Sequence, residues 1–189
     1  MPTCIAGWAH TAFGRRDGED LEALIVSVAR QALSDAGIEA KEVDAIWLGN
    51  LNAGLVPDSF CSSLVLQADD GLRWKPATRV ENACASGAAA IFSAIDAIES
   101  GRCQIALVVG AEKMTAVSGA DVTRALGSAS YCKEESAQGM TFPGIFAQMA
   151  NRYFELHGDH SEALARIASF LAIEPREIPA YRQGLPEVN

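Results

Sequence analysis

The sequence predicts an α/β fold with a mainly parallel sheet, flanking helices and a loop-domain excursion. Strand-like and helix-like segments alternate through the first half of the chain, with short turn signals between them. The composition suits the core of one domain, since 49% of the 189 residues are hydrophobic and 21% are charged. After Glu112 the character changes, because Ser, Gly, Ala and Thr dominate to about Gln138 with little periodicity. We therefore expect one α/β unit that carries a long excursion.

The first strand is predicted at Cys4–Trp8 and the first helix from about Asp20. Acidic residues at the start of this helix favour its positive end, and Gly37 is a stop signal. Apolar residues recur at the spacing of one helix face: Leu21, Leu24, Ile25, Val28, Ala29, Ala32 and Leu33. The helix should pack this face against the sheet.

The middle of the chain continues the alternation of strands and helices. The predicted elements are a strand at Val43–Leu48, a helix from Pro57 to about Ala68, a strand at Thr78–Ala83, a helix at Ser86–Ser100 closed by Gly101, and a buried strand at Ile105–Val109. Beyond the excursion, helices are expected at Gly144–Leu156 and Ser161–Phe170. Residues 169–189 contain three prolines and are expected to form an irregular tail.

Charge and hydropathy exclude several classes of function. A net charge of −9, from 15 Lys+Arg against 24 Asp+Glu, disfavours nucleic acid as a partner. The strongest apolar stretch, Ile105–Ala111, is far too short to span a bilayer. The N-terminus has no basic leader followed by an apolar run, so we expect a cytoplasmic protein.

The candidate nucleophile is Cys84, which lies between a predicted strand end and a predicted helix start. Free backbone N–H groups at a helix start favour a thiolate and can hold an oxyanion. The small residues that follow, from Ala85 to Ala88, let a substrate approach closely. This context outweighs the general preference of a cysteine for a buried structural role.

The remaining cysteines and the histidines are expected to be structural or exposed. Cys4, Cys61, Cys103 and Cys132 are scattered without a Cys-x-x-Cys pair, which disfavours disulfides and a metal site, and Cys132 has the best chance of exposure. His10, His157 and His160 are expected at exposed or helix-capping positions, so they are poor candidates for the general base of a stand-alone cysteine hydrolase.

Four motifs, in order along the chain, add to the evidence that Cys84 is a nucleophile. They are Ala9–Gly14, Asn82–Gly87, Val108–Met114 and the Thr141–Tyr153 segment. Together these motifs resemble the thiolases, in particular the branch related to the thiolase part of sterol carrier protein. Ketoacyl synthases share the cysteine at a helix start, but the residues of the second and third motifs favour a thiolase.

The resemblance implies an acyl-CoA C-acyltransferase of the acetyl-CoA acetyltransferase type. Cys84 would take the acyl group from a coenzyme A thioester, and its backbone N–H would help to hold the thioester oxygen. Residues 1–168 would form the N-terminal half of such an enzyme, with a loop region at about 113–160 that cradles coenzyme A. The resemblance requires no metal or redox cofactor, since the coenzyme A thioester is the substrate.

The family's second half, with its catalytic His and second Cys motifs, has no counterpart here, and residues 169–189 diverge from the expected continuation. A frameshift, premature stop or gene-model error would explain the divergence. Two alternatives follow from this. The chain is an enzyme that is completed by a second thiolase-half polypeptide or by forming a homo-oligomer, or it is a non-catalytic remnant that binds coenzyme A or a partner. The helix after Cys84 should then expose an apolar patch of Ala88, Ala89, Phe92 and Ala97, while Ala90, Ile91, Ala94, Ile95 and Ile98 meet the sheet.

Overall fold

Helix α1 spans Leu21–Ala36 in the computed structural model, which describes residues 3–12, 14 and 16–171. The Asp20 carboxylate caps its start by accepting a hydrogen bond from the Ala23 N–H at 2.8 Å. Gly37 ends it in the left-handed conformation (φ +66°), with its N–H bonded to carbonyls of the last turn. The predicted start, stop and apolar face are confirmed, since the side chains buried on α1 are Leu21, Ile25 and Ala29.

Three parallel strands form the sheet within the described residues. They are β1 at Ala45–Gly49, β2 at Ala77–Val80 and β3 at Ala106–Gly110, in the spatial order β2, β1, β3. The central strand pairs Trp47 with Thr78 on one side and with Val108 on the other. The predicted parallel sheet is confirmed, with the strands shifted by one or two residues at most of their ends.

The predicted first strand at Cys4–Trp8 is wrong. This segment carries no regular structure, and Ile5 is 86% exposed. A Cβ built on Gly7 would lie 2.5 Å from the Ala36 backbone nitrogen, and the Trp8 N–H donates to an Asp35 carboxylate oxygen at 3.0 Å. The segment therefore lies against the end of α1 instead of pairing with the sheet.

The two faces of the sheet carry different layers. On β1, Ile46 and Leu48 point to one face and Trp47 to the other, as the two-residue period of a strand requires. The first face packs on α1 and on a 3-10 helix at Cys61–Ala68, where a helix from Pro57 was expected. The second face packs on helix α2, Ser86–Glu99.

The side chains that α2 turns to the sheet agree with the prediction at Ala90, Ala94 and Ile98 and differ from it at other positions. Ala90, Ala94 and Ala97 are buried in the cluster around Trp47, whereas Ile91 and Phe92 are exposed. The predicted exposure of Phe92 is confirmed. Ala97, which was expected to be exposed, is buried, and Ile91, which was expected to meet the sheet, is exposed. The start of α2 approaches the end of β1 closely, since a Cβ built on Gly49 would lie 2.7 Å from the Ser86 carbonyl oxygen, and farther along the helix its alanines pack on the large Trp47 ring.

The excursion after β3 carries short elements, as expected. These are 3-10 turns at Met114–Ala116 and Ser136–Gln138 and helix α3 at Gly119–Gly127. Helix α4 spans Phe142–His157 and α5 spans Ser161–Leu171, each slightly longer than predicted. The irregular tail predicted at 169–189 starts too early, since α5 continues to Leu171, and residues 172–189 lie outside the described residues. Among the helices of the described part, none has the length and apolar character needed to cross a membrane.

Candidate active site around Cys84

The carboxyl ends of the three parallel strands lie at one edge of the sheet, where the following loops meet. Asn50 follows β1, Glu81 follows β2 and Ala111 follows β3. The side-chain Nδ2 of Asn50 donates to the Ala111 carbonyl at 2.9 Å, and Arg79 Nη1 donates to the Leu51 carbonyl at 3.2 Å. These bonds join the loops into one rigid rim.

Cys84 lies on this rim, in a single 3-10 turn at Ala83–Ala85 between β2 and α2. Cys84 is exposed, so its thiol is open to a reactant. The turn runs directly into α2, whose fourteen residues start at Ser86. The prediction that this cysteine sits between a strand end and a helix start is therefore confirmed, and its role as nucleophile stays a prediction.

The backbone of this turn is held by a dense set of hydrogen bonds. The Ala83 N–H donates to the Glu81 carboxylate at 2.5 Å, and the Ala85 N–H donates to the Asn82 carbonyl at 2.9 Å. The Ser86 N–H donates to the Ala83 carbonyl. In the part of the chain that the structure describes, the Cys84 N–H has no acceptor. It is therefore available to an incoming oxygen atom.

Ala83 has a positive φ of 45°, a conformation that a residue with a Cβ seldom adopts. Two further positive values occur on the neighbouring loop, at Asn52 (φ 55°) and Ala53 (φ 47°). Strained backbone of this kind persists only where its surroundings hold it, and it clusters at functional sites. The rim therefore has the backbone character of a site as well as an exposed thiol.

The Glu112 carboxylate anchors the loop after β1. It accepts hydrogen bonds from the Leu51 N–H at 2.8 Å, the Asn52 N–H at 3.2 Å and Asn50 Nδ2 at 3.1 Å. The next residue, Lys113, is buried, and its Nζ donates to the Arg16 carbonyl at 2.7 Å. The third motif thus ties two other loops to the end of β3.

A cleft of about 360 Å³ opens on the same rim. Its polar lining includes Asn52, Ser59, Arg79, Glu81 and Ser128. The cleft lies between the loop after β1, the end of β2 and the residues that follow α3. Glu81, which lines the cleft, also accepts the Ala83 N–H of the turn that carries Cys84, and this hydrogen bond connects the cleft to that turn.

The other cysteines differ in burial. Cys61 and Cys103 are buried, and burial raises the pKa of both thiols, which disfavours their thiolates. Cys132 is exposed, as expected, whereas Cys4 is exposed although a buried position was expected. The exposed Cys4 and Cys132 lie outside the turn before α2 and provide natural comparisons for Cys84.

The histidines occupy the positions expected of them. His157 ends α4 and His160 precedes α5, both are exposed, and their rings lie 4.6 Å and 5.6 Å from the Tyr153 ring. His10 is also exposed. Among the described residues no histidine hydrogen-bonds with Cys84, and no group of three or more His, Cys, Asp or Glu side chains is placed to hold a metal ion.

Three residues of the rim were not assigned roles from the sequence: Glu81, Ser86 and Glu112. The sequence marks Ser86 only as one of several small residues, whereas in the structure it is buried and hydrogen-bonded. Glu112 lies in a motif that carries the resemblance, but its partners are sixty or more residues away in the chain. Sequence spacing gives no signal for contacts that only the closed sheet creates.

Comparison with known proteins places these features in a family. The family model described as "Thiolase, N-terminal domain" matches residues 3–168. An acetyl-CoA acetyltransferase of Methanothermobacter thermautotrophicus is 40% identical over 166 residues, which are 87% of this chain and 42% of that protein. The corresponding protein of Methanocaldococcus jannaschii is 40% identical over 85% of this chain and 41% of its own length.

A third relative, sterol carrier protein 2 of Gallus gallus, is 27% identical over 87% of this chain and 31% of its own length. This chain therefore spans only about two fifths of the two acetyltransferases, 42% and 41% of their lengths.

Proposed function

The chain belongs to the thiolase family, and from this premise we propose that it forms the nucleophile-bearing part of an acyl-CoA C-acyltransferase. Cys84 is the proposed nucleophile. The observation that carries the proposal is the exposed thiol at the start of α2, next to a backbone N–H without an acceptor among the described residues. A thioester carbonyl needs both groups, one to attack carbon and one to stabilise oxygen.

In the proposed first step, the Cys84 thiolate attacks the carbonyl carbon of an acyl-CoA. Negative charge develops on the carbonyl oxygen, where the Cys84 N–H and the positive end of α2 stabilise it. The bond between the carbonyl carbon and the coenzyme A sulfur then breaks. Coenzyme A leaves as a thiol with the proton that Cys84 lost, and the acyl group remains on the cysteine sulfur.

In the proposed second step, the enolate of a second acyl-CoA takes the acyl group from Cys84. We propose that a second polypeptide or a second copy of the chain supplies the proton transfers of this step. The exposed side of α2 supports such an assembly, since Ile91 is 47% and Phe92 65% exposed on a helix whose other side is buried. The acetyltransferases among the relatives make acetyl-CoA the first substrate to test.

We assign residues of about 113–160 to the loop region that holds the coenzyme A arm. Helix α4 supports this assignment, since the side chain it buries is Ile145, while Phe146, Met149 and Tyr153 are more than half exposed. Such a surface is open to a ligand or a partner. The cysteines of the described residues are free thiols, which is typical of proteins in a reducing compartment, so we place the protein in the cytoplasm.

The test is the exchange of isotopically labelled coenzyme A into acetyl-CoA, which requires only the first step and its reversal. The full chain and the Cys132→Ser variant should catalyse the exchange, and Cys84→Ser should not. Cys132→Ser is the matched control because it removes another exposed thiol. Exchange that survives in Cys84→Ser would contradict the assignment. Binding of acetyl-CoA without exchange would instead identify a non-catalytic coenzyme A-binding subunit.

A further inference from the structure

We propose that Ser86 is a positioning residue for the Cys84 nucleophile. Its hydroxyl fixes the peptide unit between Ala83 and Cys84, so that the Cys84 N–H stays free and correctly aimed for the thioester oxygen. This inference rests on the proposed function, because Ser86 acts through Cys84 and not on the substrate.

The Ser86 hydroxyl bridges two backbone groups of the nucleophile turn. It accepts a hydrogen bond from the Asn82 N–H at 2.9 Å and donates one to the Ala83 carbonyl at 2.7 Å. The Ser86 backbone N–H donates to the same carbonyl. Ser86 is only 6% exposed, so these bonds are shielded from water.

The grip on the Ala83 carbonyl determines where the Cys84 N–H points. A trans peptide is planar, and its C=O and N–H point in opposite directions. Because both donors of Ser86 hold the Ala83 carbonyl towards the helix start, the Cys84 N–H is turned away from Ser86. No intrahelical acceptor is then within its reach in the described structure.

The strain at Ala83 explains why the turn needs the two hydrogen bonds of the Ser86 hydroxyl, which together form a clamp on its backbone. At a φ of 45° its Cβ crowds the backbone, and an unrestrained alanine would return to negative φ. That rotation would swing the peptide unit that contains the Cys84 N–H. Two groups oppose it, the Glu81 carboxylate on the Ala83 N–H and the Ser86 hydroxyl on the Ala83 carbonyl.

Ser86 is itself fixed against the sheet. A Cβ built on Gly49, at the end of β1, would lie 2.7 Å from the Ser86 carbonyl oxygen. The start of α2 therefore rests directly on the β1 backbone. The clamp transmits the rigidity of the sheet to the turn that carries the thiol.

The experiment compares two reactions of the same thiol in the full chain. Acylation by acetyl-CoA needs the oxyanion donor, whereas alkylation by iodoacetamide forms no oxyanion. Both rates are followed at Cys84 by quenching and peptide mass spectrometry. The variants are Ser86→Ala, Ser86→Thr, which keeps the hydroxyl, and Ser93→Ala. Ser93 is the matched control, since its hydroxyl bonds the Ala89 carbonyl within α2 at 2.8 Å, away from the turn.

In Ser86→Ala we expect acylation to slow by about 10- to 100-fold at saturating acetyl-CoA, with alkylation changed by less than about twofold. Ser86→Thr should restore most of the rate, and Ser93→Ala should match the wild type. Glu81→Ala supplies a second, exposed position that loosens the same turn without opening the core, and it should slow acylation by several-fold.

The outcomes separate the two proposals. Acylation of Ser86→Ala and Glu81→Ala at the wild-type rate would overturn the positioning role and leave the nucleophile in place. Equal losses of acylation and alkylation would also overturn it, because they would indicate general disruption of the turn. Wild-type protein that is alkylated but never acylated at Cys84 would refute the proposed function, and the positioning role with it.

Discussion

Replacing Gly49 with alanine should destabilise the fold, because the new methyl group would overlap the start of α2. Its Cβ would lie 2.7 Å from the Ser86 carbonyl oxygen, 2.9 Å from the Ser86 carbonyl carbon and 3.0 Å from the Gly87 Cα. Ordinary contacts begin at 3.4 Å, and all three atoms belong to the backbone of α2. Because backbone cannot turn aside as a flexible side chain can, the start of α2 and the end of β1 must therefore move apart.

Overpacking of this kind costs about 1–3 kcal/mol of unfolding free energy. The assay is urea denaturation followed by far-UV circular dichroism, with the free energy extrapolated to water. Gly87→Ala is the matched control, because the Cβ it would add meets no described atom within 4 Å beyond its chain neighbours and the nearby backbone of its own helix. Its stability should stay equal to that of the wild type or rise by at most about 1 kcal/mol.

The two glycine variants should also differ at the site. Movement of α2 in Gly49→Ala displaces Ser86, so acylation of Cys84 should slow together with the loss of stability. If Gly49→Ala proved as stable as Gly87→Ala, β1 and α2 would not be in the close contact described above. Ser86 would then not be held against the sheet.

Three further predictions concern other parts of the molecule. Backbone N–H groups of Gln104 and Ile105 hold the pKa of Asp44 below its ordinary value of 3.8. Because the pKa of Asp44 is lower in the folded state, its carboxylate stabilises the fold above pH 4, and this contribution disappears as the pH falls through the folded pKa. Asp44→Asn should therefore be less stable than the wild type in urea at pH 7. The difference should become smaller in acid. Ile25 is fully buried, so Ile25→Ala should lower the unfolding free energy by about 2–5 kcal/mol in the same assay, and a loss under 1 kcal/mol would contradict the core described above. Phe92→Ser should leave stability within about 0.5 kcal/mol, and if copies of the chain associate through α2 it should reduce the association measured by sedimentation; equal sedimentation of the variant and the wild type would exclude this face of α2 as a self-association surface.

Helix α1 shows which features the sequence could predict. Its cap at Asp20, its stop at Gly37 and its apolar face are local signals, and each depends on residues only a few positions apart. The position of Cys84 between β2 and α2 is local in the same sense. Patterns of this range therefore fixed both the helix and the place of the proposed nucleophile.

Predictions that depended on tertiary contact succeeded less well. The Cys4–Trp8 segment has the composition of a strand, but its backbone lies against the end of α1. On α2, hydropathy favours burial of Ile91, whereas the helix buries Ala97 in the cluster with Trp47 and Cys103 and leaves Ile91 exposed. Both outcomes depend on which tertiary neighbours a residue meets, and the local pattern does not contain that information.

The candidate site divides along the same line. Its cysteine could be found from the sequence, but its supports could not. The Glu112 carboxylate binds backbone N–H groups that are sixty or more residues away in the chain and that only the closed sheet brings within reach. The Ser86 hydroxyl and the Glu81 carboxylate bind backbone groups two to four residues away, in a turn whose positive φ at Ala83 has no signal in the sequence. Such contacts leave no trace in composition or periodicity.

The central claim is that Cys84 receives the acyl group, and site mapping tests it most directly. The full chain is incubated briefly with acetyl-CoA, quenched in acid and digested, and the thioester-linked acetyl group is located by tandem mass spectrometry. Cys4 and Cys132 are the internal controls, because both thiols are exposed but neither lies at the start of α2. We expect acetylation at Cys84 and none above background at the other two. Equal labelling of the three exposed thiols, or none at Cys84, would contradict the claim.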